Sequence, residues 1–131
     1  EHYILIAPQT LVKTRKSHLK WEDAARLPLC LLTNERQIKQ RIFDIFAEVN
    51  TNPNVVVEAN DLAAVMAQVT NGNAATILPF SSANYLTEMN SLITFNLIEP
   101  VVTEKIGLMF NDQSALRPIA LELKEIINKL L

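Results

Sequence analysis

The chain has 131 residues, 49% of them hydrophobic and 20% charged, which suits one domain built round one core. Twelve basic against 14 acidic side chains leave a net charge of −2, so this chain carries no global electrostatic case for binding nucleic acid. No apolar run approaches the roughly 20 residues that a membrane span needs.

Tyr3-Ile4-Leu5-Ile6-Ala7 is a continuous apolar run closed by Pro8, which predicts a short buried strand. Residues 9–20 are polar and basic, with Lys13, Arg15, Lys16 and Lys20; no aromatic interleaves the charges, so they read as a solvated loop rather than a nucleic-acid patch. Trp21 to Leu27 reads as a short helix stopped by Pro28. Leu29-Cys30-Leu31-Leu32 is the next strand, and its lone cysteine is read as a buried small hydrophobe.

After Thr33-Asn34, residues Ile38, Ile42, Ile45, Phe46 and Val49 form one apolar helical stripe, with Asn34 and Gln37 spaced as a capping box. Asn50 to Asn54 ends that helix. Val55 to Glu58 is a β-branched strand leading into Asn60-Asp61. Leu62, Val65, Met66 and Val69 predict a second helix, closed near Gly72. Ala74 to Leu78 is a strand ended by Pro79, and Ser81 to Leu86 gives one helical turn. Leu92 to Ile98 and Lys105 to Phe110 are read as strands. Leu116, Ile119, Leu123, Ile126, Ile127 and Leu130 share one face of a C-terminal helix.

This alternation predicts an α/β fold, a mixed, mostly parallel sheet flanked by helices. Three strands run into polar pairs: Thr33-Asn34, Asn60-Asp61 and Ser81-Ser82. If those strands lie parallel, the turns share the sheet edge where ligands bind, because helix N-termini leave backbone N–H groups free there. Asn34, Asn60 and Ser81 are expected to cap the helices that follow.

Several chemistries are missing. With Gly72 and Gly107 as the only glycines, neither a P-loop nor a dinucleotide fingerprint can be drawn. His2 and His18 with Cys30 do not make a zinc site, and no placed histidine supports a serine triad. Glu22-Asp23 and the Glu122/Glu125 pair read as solvated helix faces. The expectation is a binding module, not an enzyme, with no cofactor and no metal; a small enzyme using Glu58 or Asp61 is the weaker alternative.

As a whole the chain resembles the effector-binding region of LysR-type transcriptional regulators. The resemblance is carried by Trp21-Glu22-Asp23-Ala24-Ala25-Arg26-Leu27-Pro28-Leu29, by Val55 through Val65, by Val69 through Pro79, by Leu97-Ile98-Glu99-Pro100 and by Ile106-Gly107-Leu108-Met109-Phe110. It implies a type 2 periplasmic-binding-protein-like fold, in which two α/β lobes flank a cleft. Residues 1–7 would be a crossing strand and 8–100 the second lobe. Residues 101–131 would hold the other crossing strand, over 104–110, and a C-terminal helix packing on the first lobe. An opening without initiator Met or secretory signal is expected of a fragment whose winged helix-turn-helix lies elsewhere.

The implied function is cytoplasmic. A small-molecule effector would bind between the lobes and control DNA binding allosterically. Its implied contacts are Thr33, Asn34, Asn60, Asp61, Pro79 and Phe80. The first loop, often rich in Ser and Gly in these regulators, is Thr33-Asn34-Glu35-Arg36 here; Glu35 would repel a carboxylate effector and Arg36 attract one. A homo-oligomer, dimer or tetramer, is also implied, with the 36–49 helix as one candidate surface. Left uncovered, the C-terminal helix face is expected to drive self-association. A solute-binding protein of a transport system is the alternative on the same fold.

Overall fold

A fully buried strand with neighbours on both sides organises the molecule. The computed structural model describes residues 1–33, 36–83, 91–107, 109 and 118–130. Its elements are β1 (Tyr3–Pro8), β2 (His18–Lys20), α1 (Trp21–Ala24), β3 (Leu29–Leu32), α2 (Arg36–Glu48), β4 (Val55–Ala59), α3 (Leu62–Thr70), β5 (Thr76–Pro79), α4 (Phe80–Ala83), β6 (Leu92–Ile98) and α5 (Pro118–Leu130).

Four strands pair in the order β2-β6-β1-β5, and β3 pairs with β4. A parallel bridge between Leu29 and Ala75 joins the two sets; Ala75 N donates to Pro28 O and Cys30 N to Ala75 O, each at 2.8 Å. β1 runs antiparallel to both β5 and β6, whereas β2 is parallel to β6 and β3 to β4. The layer is therefore mixed and mostly parallel, with β1 as the reversed strand.

All six residues of β1 are buried because helices cover both faces. Tyr3, Leu5 and Ala7 join the larger core with Trp21, Phe46 and Phe95. Ile4 and Ile6 point the other way, onto Val69, Leu78 and Ala83. That is the two-residue period of a strand read through an unbroken apolar run. Trp21 anchors the first face: its ring meets Phe46 edge-on at 5.2 Å, and its indole N–H donates to Pro100 O at 3.1 Å. The α2 stripe buries Ile42, Ile45 and Phe46 against this cluster.

Several sequence expectations need correction. The 9–20 segment is not all loop: His18–Lys20 adds a short edge strand to β6. The helix at Trp21 ends at Ala24 and continues only as tight turns, Arg26 N to Asp23 O and Leu27 N to Ala24 O, because Pro28 stops the helix. Residues 105–107 and 109 are not strand; Ile106 is 69% exposed and the segment has no ladder partner among the described residues. Thr103 makes an isolated bridge to His2 instead. On α5 the expected apolar face is open, with Ile119 75% and Ile126 48% exposed. Leu108, Phe110 and Leu116 lie outside the described residues, as does Asn34 with its expected capping role.

Candidate functional site

Because β3, β4 and β5 run the same way, their carboxyl ends reach one edge of the sheet. Thr33 follows β3 there; its backbone N–H and its hydroxyl both donate to Ala59 O, at 2.8 and 3.1 Å. Thr33 thus ties the ends of β3 and β4 together. At the end of β4, Asp61 and not Asn60 caps α3. Asp61 has the extended backbone of an N-cap, and its Oδ1 accepts from Ala63 N at 2.6 Å and Ala64 N at 3.3 Å. A side-chain oxygen reaches the second and third helical N–H groups only from the residue immediately before the helix, so Asn60 is one position too early. Nor does Ser81 cap: it lies inside α4, and its N–H donates to the Glu1 carboxylate at 2.9 Å. Phe80 stacks on His2 with ring centroids 4.8 Å apart.

The reversed direction of β1 brings its first residues to the same edge. Glu1 and Glu104 exchange backbone hydrogen bonds of 2.7 and 2.6 Å there, next to the His2–Thr103 bridge. The start of α2 rises beside them. Between these parts lies a hollow of about 470 Å³, in the size range of small-molecule sites. Tyr3, Ile38, Pro79 and Ile106 form its apolar wall, and Glu1, Gln37, Arg41, Glu104 and Lys105 its polar one.

Of the six residues expected to contact a ligand, Pro79 is in this wall. Thr33, Asn60, Asp61 and Phe80 stand along the same edge outside it, and Asn34 lies outside the described residues. Tyr3, Arg41 and Glu104 were not foreseen. Tyr3 was legible only as an apolar strand residue, and nothing local links Arg41 to an acid 63 positions on.

The charges in the hollow are organised round Arg41. Its Nε lies 2.8 Å from Glu104 Oε1 and its Nη1 3.2 Å from Glu48 Oε1. The hydrogen bond that Arg41 donates to Glu104 holds the guanidinium more firmly protonated than usual. Burial, then the Glu104 charge, pushes the Tyr3 phenol up, so it stays neutral and can both donate and accept. A second hollow of about 450 Å³ opens at the opposite edge, beside Thr10, Thr70, Gly72 and Ser91, and its wall carries no charged side chain. Among the described residues, no group of three or more His, Cys, Asp or Glu could hold a metal ion, and no helix is long and apolar enough to cross a membrane.

A mostly parallel sheet covered on both faces, with a hollow at its carboxyl edge beside the segments where the chain enters and leaves, is the geometry the sequence resemblance implied. The family model of the LysR substrate binding domain matches residues 1–131. The chain belongs to that family. The fold of this LysR substrate-binding domain is accordingly type 2 periplasmic-binding-protein-like. HinK, a LysR family transcriptional regulator from Pseudomonas aeruginosa, superposes with a TM-score of 0.77 at 18% identity, covering 99% of this chain and 46% of HinK. A Corynebacterium glutamicum OxyR mutant gives 0.75 at 24% identity, over 96% of this chain and 39% of its own. The effector-binding domain of QuiR, solved with shikimate, gives 0.71 at 16% identity, over 95% and 62%. Identities this low are a likeness of fold. The substrate-binding domain described here spans less than half the length of HinK. No curated protein matches it.

Proposed function

We propose that this domain senses a small-molecule effector for a LysR-type transcriptional regulator, and that binding between two lobes controls DNA binding by a winged helix-turn-helix outside this chain. Residues 8–100 serve as the second lobe, with 1–7 and 104–110 crossing to the first and α5 packing on it. The protein acts in the cytoplasm as a homo-oligomer. One observation carries this reading: the hollow at the carboxyl edge is walled partly by the lobe (Ile38, Arg41, Pro79) and partly by the two crossing segments (Glu1 and Tyr3, and Glu104 to Ile106). A ligand there touches both parts at once, so it can favour one arrangement of them over another. Such differential contact is the requirement for allosteric control, with coupling of about 1–3 kcal/mol. QuiR's complex with shikimate supports the reading by fold.

Thr33, Asn34, Asn60, Asp61, Pro79 and Phe80 remain the proposed contacts. Tyr3 and Arg41 are added to them on the geometry of the wall. The test is a panel of small organic metabolites screened by thermal melting. A true effector at about 100 times its dissociation constant adds about 2.7 kcal/mol to stability, and its amide-shift map centres on Tyr3, Ile38 and Arg41. A binder whose map centres on the opposite hollow beside Gly72 overturns this placement.

A further inference from the structure

Arg41 stands between two carboxylates of its own chain. A guanidinium offers a carboxylate two forked edges, one made by Nε and Nη2 and the other by Nη1 and Nη2. Glu104 holds Nε of the first fork, and Glu48 holds Nη1 of the second. A third carboxylate that takes the Nε/Nη2 fork must therefore displace Glu104, and Arg41 forms part of the wall of a hollow with Ile38, Pro79 and Ile106 beside it. The two acids differ in position. Glu48 lies on the same helix and outside the wall. Glu104 lines the hollow, and its backbone belongs to the short antiparallel pair with Glu1 and His2 where the chain leaves the sheet. The Glu104 side chain thus fastens the departing segment to α2.

We propose that Glu104 is a resident competitor for Arg41: a ligand carboxylate entering the hollow takes the Nε/Nη2 fork, displaces Glu104, and so frees the segment at 103–106 from α2. The inference rests on the hollow being the effector site, and it deepens that reading by naming the anchor and the group the anchor must release. The exchange is one of ion pairs, with no bond made or broken. Glu104 then sets specificity, because every simple carboxylate pays for its displacement, whereas a neutral isostere does not. The other groups at the site are accounted for. Glu1 accepts the Ser81 N–H, and Lys105 makes no ion pair among the described residues, so it is the rival anchor for an anion.

The test titrates sodium benzoate and neutral benzamide into this chain, followed by amide NMR, for wild type, Glu104→Gln, Arg41→Gln and Lys105→Gln. Benzoate is expected to bind Glu104→Gln roughly fivefold more tightly than wild type, the upper range for a half-exposed ion pair. Benzamide is expected to bind both alike, and Arg41→Gln to weaken benzoate in either background. In wild type, saturating benzoate should speed hydrogen exchange at the Glu104 amide. Equal benzoate affinity for wild type and Glu104→Gln overturns the proposal. So does loss of binding on Lys105→Gln with none on Arg41→Gln, or no benzoate binding by Glu104→Gln. Glu104→Ala serves as the second variant should Glu104→Gln not fold. The metabolite panel is a separate readout: an effector mapping to the hollow while these variants behave alike leaves the sensor reading standing and removes only the competitor.

Discussion

The hydroxyl of Thr33 donates to the carbonyl of Ala59 at 3.1 Å, doubling the 2.8 Å bond that the Thr33 backbone N–H already makes to the same oxygen. Two adjacent parallel strands are thereby locked together at the edge that carries the hollow. Thr33→Val removes the hydroxyl and keeps the volume. Because Ala59 O retains its backbone donor, the expected loss is small, about 0.5–1.5 kcal/mol in urea unfolding. A loss several times larger would mean that the hydroxyl holds more than this one bond.

Asp61 and Asn60 are adjacent polar residues with opposite expected outcomes. Asp61→Ala leaves Ala63 N and Ala64 N without their acceptor and should cost about 1 kcal/mol. Asn60→Ala, exposed and off the cap, should stay within about 0.5 kcal/mol of wild type. Paired urea melts of the two variants check this directly.

Thr76 is fully buried in β5, and its hydroxyl has no hydrogen-bond partner among the described residues. A buried, unpaired hydroxyl costs desolvation free energy with no bond in return. Thr76→Val is nearly isosteric and should raise stability by about 1 kcal/mol. An unchanged or lower melting temperature would show that the hydroxyl has a partner in solution.

The alkaline limb of the stability profile should have two steps. Burial raises the Cys30 thiol above its ordinary 9.0, and burial with the Glu104 charge raises the Tyr3 phenol above its ordinary 10.0. In each case the unfolded chain releases its proton first. The stabilisation is complete below the unfolded value and falls as pH rises towards the folded one. Loss should therefore begin above pH 9 and deepen above pH 10. Tyr3→Phe should flatten the second step and Cys30→Ala the first, measured by urea melts across that range.

Much of the architecture was legible because local periodicity reports which side chains face a core. The run Tyr3 to Ala7 announced a short buried strand, and the Ile38-to-Val49 stripe announced α2. The three strand-to-polar-turn passages marked the edge that carries the hollow. Their finer roles were not legible. Which of two neighbouring polar residues caps α3 depends on where the backbone first turns helical, a one-residue difference that Asn60-Asp61 does not advertise. The strand expected at 105–110 failed over its described part because apolar residues make a strand only where a partner ladder accepts their backbone groups.

By itself, then, the sequence determined most of the elements, the helix-covered, mostly parallel sheet and the family, all of which follow from patterns a few residues long repeated down the chain. The tertiary structure alone decided what walls the hollow. Arg41 meets Glu104 across 63 residues only because β1 is inserted backwards between β5 and β6, returning the start of the chain to the edge where Glu104 pairs with it. Chain direction within a sheet is set by the closure of the whole layer, and no local run of residues encodes it.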